Sequence, residues 1–433
     1  TPENIEKRTT RGKLPNGMQY AMLPKENRGD AVNATFTFRF GTLETMKGNI
    51  VASEFAAQML DKGTKTKNRQ EIKEALDKMK ARLSFFGSGQ NLIVNIETDR
   101  QNLPAVIALA GEILQNASFP DSEFEKMKSE SIAGIEEQKS DPNALANNTF
   151  ARISSPSYSK DDPRYTRTFE EELAATQALT NNDLKNFYKK FYGGSAASTG
   201  AIVGDFDAKE VEKALKNAFG NWKSPAKFER IAEDYTPVAA KSQTINTPDK
   251  SNAVYVAGYG FAMRNDDPDY PAVTIGGNIL GGGFLNSRLA TRIRQKEGLS
   301  YTVRGNFGAS VMDKDASFNA FMIYNPENLG KLEIAFREEI ERASKEGFTA
   351  EELDAAKSGW LKSRKVNRTG DNALANTLSS YLFYGRDLMW DQKFESSVQN
   401  LTLDQVNTAM KKYLDYSKMI SVKAGDFEKK AKP

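Results

Sequence analysis

The sequence predicts an α+β protein built from two copies of one unit, each a sheet packed against grouped helices. Three observations predict this. Two segments recur at nearly one offset, short stretches alternate apolar and polar residues, and longer stretches repeat apolar residues at helical spacing. In the first repeat, Asn102-Leu103 opens a helical run closing on Phe119-Pro120-Asp121 before SEFEKMKSE. Asn328-Leu329 opens a second, closing on Phe348-Thr349-Ala350 before EELDAAKSG, so that Lys128 corresponds to Lys357. In the second repeat, LTNNDLKNFYKKFY from Leu179 matches LTLDQVNTAMKKYL from Leu401. Each leads through a short apolar strand to Gly-Asp-Phe, at Gly204 and Gly425. The offsets, all roughly 220–230 residues, are one domain length.

The elements follow in order. Residues 33–40 (NATFTFRF) and 91–96 alternate as half-buried strands, and residues 254–259 form the matching strand of the second copy. Helical spacing covers residues 50–60, 69–81, 103–115 and 122–139. Strands lie next to strands and helices next to helices. That order argues against a doubly wound parallel sheet and for an α+β sandwich. Between Trp222 and Lys250 the chain holds Pro225, Pro237 and Pro248 without a sustained apolar period. The expected division is a first domain over 1–225, a linker over 226–245 and a second domain over 246–433.

Composition narrows the function. Lys+Arg 60 against Asp+Glu 57 leaves a net charge of +3, too balanced to point to nucleic acid or an anionic membrane. The longest apolar stretch, 105–114, is broken by Gly111 and Glu112 and falls short of the ~20 residues of a membrane span. With no cysteine, disulfides, thiolate metal sites and cysteine nucleophiles are excluded. The absence of histidine removes histidine-based triads and histidine general bases. The chain opens Thr-Pro-Glu-Asn and not with Met, which is expected of a processed or excised chain.

The stretch 41–64, GTLETMKGNIVASEFAAQMLDKGT, holds the most informative helix. Val51, Phe55 and Met59 recur every four residues, as do Ala52, Ala56 and Leu60, as in a core helix. This stretch resembles the zinc-site segment of the M16 metallopeptidases (insulinase, pitrilysin, mitochondrial processing peptidase). Their motif is H-x-x-E-H followed by a Met and a Lys-Gly-Thr. Anchored on Met59 and Lys62-Gly63-Thr64, the resemblance puts Glu54 and Gln58 at the ligand positions and Ala57 at the general-base position. A third ligand would lie near 134–137, with Glu136 and Glu137 as candidates. A catalytic zinc needs three protein ligands and an open position for water. A Gln amide is a poor ligand, and Ala57 cannot take a proton. No metal is therefore expected in this chain, and the helix is kept for packing.

The resemblance covers nearly the whole chain. Leu14-Pro15-Asn16-Gly17-Met18 is similar to the family's opening strand turn. The stretch 278–303, NILGGGFLNSRLATRIRQKEGLSYTV, is similar to its second-half signature. What it implies is a LuxS/MPP-like pair of domains per half and two halves closing on a peptide chamber. One half holds zinc, and the other supplies an Arg and a Tyr, here Arg294 and Tyr301. The residues permit that role. Ser287 or Asn286 caps a helix through Arg292 and Arg294, Gly298 ends it, and a strand over 299–303 sets Tyr301 on the face of Leu299 and Val303. A guanidinium can hold peptide carbonyls, and a phenol can stabilise an oxyanion. Gly281-Gly282-Gly283 lacks the companions of a phosphate loop. It reads as a tight turn or a close backbone approach, and by family position as a place where substrate comes near, bound as an added strand.

Other motifs are weaker. Ser224 and Lys227 fit S-x-x-K, but they lie in the linker and no K-T-G follows. Asp266, Asp267 and Asp269 lack the Gly and distal Glu of a calcium loop. They are expected to turn the chain and cap a helix beginning near Pro271, and Asp161-Asp162-Pro163 reads the same way. The expectation is a non-catalytic half or subunit of an M16-type zinc protease, with zinc in a partner half, fused or separate. Its substrates are peptides or unfolded proteins. A purely structural or peptide-binding subunit is the alternative. The opening TPENIEKRTTRGKLPNG favours a second half following a linker. The lack of cysteine, together with the family's exported bacterial members, favours the periplasm, with the cytoplasm also compatible.

Overall fold

A computed structural model describes residues 1–428. Its strands form two sheets. The first holds β1 (Thr10–Lys13), β2 (Gln19–Pro24), β3 (Ala31–Arg39), β4 (Arg82–Ser88), β5 (Asn91–Asp99) and β6 (Thr199–Gly204), in the order β1-β2-β6-β3-β5-β4. The second holds β7 (Ser242–Asn246), β8 (Ala253–Phe261), β9 (Ser300–Ala309), β10 (Ala316–Tyr324) and β11 (Ile420–Gly425), in the order β7-β11-β8-β10-β9. β2 pairs parallel with β6 and β7 with β11, while the remaining ladders are antiparallel. The two sheets thus share one topology, with β1 added to the first, and β4 and β9 occupy equivalent free edges.

The duplication reaches individual contacts. Lys128 Nζ donates to the Leu179 carbonyl at 2.9 Å, and Lys357 Nζ donates to the Leu401 carbonyl at 3.0 Å. These are the lysines and the leucines that the two sequence repeats equate. In the opening turn, Gly17 takes φ +93°, a conformation open to glycine. Asn16 Nδ2 donates to the carbonyls of Phe219 and Trp222, each at 2.8 Å.

Each sheet has one face in a large core. In the first, Val32, Ala34, Phe36, Phe38 and Phe40 alternate into the helical layer. The other face is covered by a helix from the opposite copy. Asp371–Tyr384 lies across β6 and β3 and buries Leu374, Ala375 and Leu378 against Ala21, Leu23, Ala201 and Val203. Reciprocally, Pro142–Ser154 lies across β11 and β8, with Ala146 and Phe150 against Val254, Val256, Val422 and Ala424. This exchange explains why β6 and β11 are buried at every position: a strand covered on both sides has no polar face to present.

Helix ends differ from the sequence reading where the backbone turns. The helix expected over 69–81 is Arg69–Lys78, because Lys80 enters the left-handed region at φ +48°. The Asp cluster caps less than expected. The helix does begin beside Pro271, at Tyr270–Gly277, but without a side-chain cap. Asp269 instead accepts from Lys412 Nζ at 2.8 Å and Tyr413 Oη at 2.7 Å. Asp162 binds Arg164 in a turn from which no helix starts. Residues 229–241 form no helix or strand. They are fastened by Arg230, whose two Nη atoms donate to Asp313 at 2.8 and 2.6 Å. Among the described residues no helix is long and apolar enough to cross a membrane.

Candidate functional site

The helix Ile50–Met59 is buried on most of its circumference. Val51, Ala52, Phe55, Ala56 and Met59 are core residues as expected, and Ser53 and Ala57 are buried too. The second buried flank comes from β4. A Cβ on Gly87 would lie 2.2 Å from the Ser53 carbonyl oxygen and 3.0 Å from Ala57 Cβ, so strand and helix touch backbone to backbone. Ser53 Oγ also donates to the Gly89 carbonyl at 2.8 Å. Beyond its first residue, the helix shows only Glu54, half-buried, and Gln58, exposed. These are the two positions matched to metal ligands.

Neither is set up to hold a metal. Gln58 Nε2 folds back toward the Glu54 carbonyl at 3.4 Å. The Glu54 carboxyl is pushed up to about 7 by burial, helped by Glu172 and opposed by Arg167. Arg167 is itself engaged by Glu172 at 3.5 Å. Glu136 and Glu137 are exposed near the end of the helix Asp121–Gln138, and Glu136 faces Lys139. Among the described residues no three of His, Cys, Asp and Glu are grouped to hold a metal ion. What remains is a cleft of about 350 Å³ between this helix and the free edge β4, lined by Ala57, Gln58, Leu83, Phe85, Met127 and Glu130 among others.

The second locus lies on the equivalent edge, β9. Ser287 is the cap of the two offered by the sequence: its Oγ accepts from Ala290 N at 3.2 Å. The following turns widen to a π-helix over Ala290–Lys296. Gly298, at φ +62°, ends it, and Leu299 N returns to the Ile293 carbonyl at 2.8 Å. Arg292 is tied to Glu297, Glu338 and Glu339. Arg294 is exposed and has no ion pair or side-chain hydrogen bond among the described residues.

Tyr301 departs from the expected placement. Leu299 and Val303 are 5% and 7% exposed, whereas Tyr301 is 64% exposed. The cause is a bulge: Ile323 pairs with Thr302 and Tyr324 with Ser300, leaving Tyr301 as the extra residue. Ser300 Oγ holds the kink, its one proton shared between the carbonyls of Thr302 at 2.7 Å and Ile323 at 2.6 Å. A bulge re-aims one side chain, and here it turns the phenol outward. The sequence offers Gly298 as the only sign of this irregularity.

The three glycines divide. Gly281 is buried, and a Cβ there would lie 2.5 Å from both N and O of Gly305 on β9. It serves the close approach of the π-turn Asn278–Gly282 to the strand. Gly282 is exposed and Gly283 half-buried. One feature escaped the sequence reading altogether. Arg39 is buried between the copies, the one charged residue of β3.

Comparison with known proteins agrees with this geometry. A family model described as the peptidase M16 inactive domain matches residues 178–359, and one described as insulinase (peptidase family M16) matches residues 21–163. A Helicobacter pylori protein named non-peptidase homolog YmxG is 24% identical over 395 residues, covering 87% of this chain and 85% of that one. The crystal structure of a peptidase M16 inactive domain from Pseudomonas fluorescens superposes with a TM-score of 0.80 at 23% identity, covering 96% of this chain and 98% of the other. The periplasmic protease PqqL of Escherichia coli superposes with a TM-score of 0.77 at 16% identity over 96% of this chain, but only 45% of its own. Carrying both parts of the family's signature in one duplicated α+β fold, with its metal-ligand positions filled by Glu54 and Gln58, the chain belongs to the M16 peptidase family.

Proposed function

We propose that this chain is the non-catalytic half of an M16-type zinc protease, closing a peptide chamber and presenting Arg294 and Tyr301 to substrate held at a partner's zinc. The observation that carries the reading is the contrast between the two edges. At β4 the ligand positions point outward but hold no ligand set. At β9 an exposed phenol is turned out by a bulge, beside a π-helix that leaves Arg294 unengaged. Irregular π-turns and bulges cost regular hydrogen bonding and cluster at working surfaces. Tyr301 supplies a hydrogen-bond donor to a carbonyl oxygen as it gains charge, and Arg294 supplies a fixed positive charge with several donors. Gly282 and Gly283 lie on the approach. PqqL, a chain of more than twice this length, supports a two-half arrangement, fused or separate, and its periplasmic location supports an exported setting here.

The test combines this chain with a zinc-bearing M16 chain from the same organism and follows cleavage of an unstructured peptide. Arg294→Ala and Tyr301→Phe should each reduce kcat/KM by 10²-fold or more, the scale of losing one transition-state donor. The isolated chain should hold no stoichiometric zinc by elemental analysis. Rates that do not change with either substitution would leave the alternative, a structural or peptide-binding subunit.

A further inference from the structure

The structure holds a second site that owes nothing to the zinc-helix or the β9 edge. Among the described residues two cations are buried to better than nine-tenths, Lys423 and Arg39. Lys423 has its counter-charge, Glu333, at 2.6 Å. Arg39 has none. Its Nη1 donates to the Ala197 carbonyl at 2.9 Å and to Thr199 Oγ1 at 3.0 Å, and its guanidinium lies 3.9 Å from the centroid of the Phe383 ring. Nε and Nη2 donate to no protein atom among the described residues. Those two nitrogens form the side-on fork that matches a carboxylate. The same molecule shows the match elsewhere: Arg288 presents Nε and Nη2 to Glu352 at 2.7 and 2.8 Å.

Arg39 lines a cavity of about 670 Å³ between the two copies. β3 and β5 supply one side, and the helix Asp371–Tyr384 of the second copy supplies the other. Asn91, Ser380 and Tyr384 line it with polar groups that make no side-chain hydrogen bond among the described residues. The other two arginines at its rim, Arg164 and Arg230, are already neutralised by Asp162 and Asp313; the rim carboxyl of Glu233 is raised by burial and by Asp315, Asp313 and Asp162, with Arg164 opposing, which favours its neutral form. Burial lowers the Arg39 guanidinium to about 10, so it stays charged at neutral pH. Nε and Nη2 are not sealed from solvent, and a carboxylate reaching them from the cavity supplies the counter-charge that this nine-tenths-buried cation lacks.

We propose that the cavity between the two copies is a carboxylate-binding site, with the Nε/Nη2 edge of Arg39 as its anchor and the hydroxyls of Ser380 and Tyr384 as further donors. The ligand class is a carboxylate, either a small free acid or the carboxyl end of a peptide. Because the site belongs to this chain by itself, it can be tested without any protease partner.

The experiment is isothermal titration of the purified chain with three probes: acetyl-tetraalanine with a free carboxyl end, the same peptide as its C-terminal amide, and sodium acetate. The acid peptide should bind at least tenfold more tightly than the amide. In Arg39→Met that preference should fall to near unity, and Arg39→Lys, which keeps charge but not the fork, should retain only part of it. Tyr384→Phe, which leaves Arg39 in place, should weaken the acid peptide two- to tenfold and guards against an Arg39→Met variant that does not fold. Acetate competing as strongly as the peptide identifies a small-acid site; a peptide advantage identifies a chain terminus. Equal binding of acid and amide to the wild type, no binding of any probe, or a preference that survives Arg39→Met would each overturn the proposal.

Discussion

Glu54 offers a sharp test of how the Ile50–Met59 helix is built. Its carboxyl sits on a buried helix with Glu172 nearby, and both burial and that neighbour disfavour its charged form, raising it from 4.5 to about 7. In the unfolded chain the same group is solvated and titrates in the ordinary carboxylate range. Between those two pH values the folded state holds the extra proton, so stability falls as pH rises from about 4.5 to about 7 and is level above. The gap, at 1.36 kcal/mol per pH unit, corresponds to about 3 kcal/mol. Glu54→Gln keeps the shape and removes the titration. At pH 8 the variant should be more stable than the wild type by up to about 3 kcal/mol, and at pH 4 the two should agree within about 0.5 kcal/mol. Urea unfolding at pH 4, 6 and 8, followed by far-ultraviolet circular dichroism, reads this as a midpoint difference that grows with pH. A difference independent of pH, or a variant less stable at pH 8, would show that Glu54 is satisfied where it stands and that the burial argument fails.

Further predictions concern packing and the free edge. Leu378→Ala removes the centre of the cluster that joins the Asp371–Tyr384 helix to the first sheet; it should cost about 2–5 kcal/mol in urea unfolding and increase proteolytic nicking within 229–241. Gly281→Ala places a methyl 2.5 Å from the Gly305 backbone, so a loss of about 1–3 kcal/mol is expected, whereas Gly282→Ala, with nothing closer than 3.5 Å, should stay within about 0.5 kcal/mol of wild type. Tyr301→Phe and Arg294→Ala should likewise change the unfolding free energy by no more than about 0.5 kcal/mol, which separates any effect on peptide cleavage from an effect on folding.

Much of the fold was legible in the residues. The two repeats named the duplication, and the pairing of Lys128 with Lys357 proved to be a pairing of contacts. The strands 33–40 and 91–96 lie where alternation puts them, within a few residues, because alternation marks the two faces of a strand, and 254–259 lies where the repeat puts it. The helix 50–60 is likewise evident from its four-residue recurrence.

Other features depend on partners distant in the chain. Nothing local in ALANNTF or NALANTL says that each helix crosses to the other copy's sheet, yet that exchange is what buries β6 and β11 on both faces. Tyr301 was assigned by strand alternation to the face of Leu299 and Val303, and the bulge against β10 reversed it. Gly281 was read as a tight turn or a close backbone approach, and only the structure names the strand that approaches, β9 at Gly305.

Amino-acid identity settled by itself what chemistry is impossible here: without histidine or cysteine, and with Ala57 at the base position, the Ile50–Met59 helix cannot run zinc hydrolysis. That conclusion needs no coordinates, because a missing functional group is missing in every conformation. Which of the remaining groups are exposed, charged or short of a partner was decided only by tertiary structure. Burial sets the proton affinity of Glu54, register turns Tyr301 outward, and the meeting of the two copies encloses Arg39 without a counter-ion.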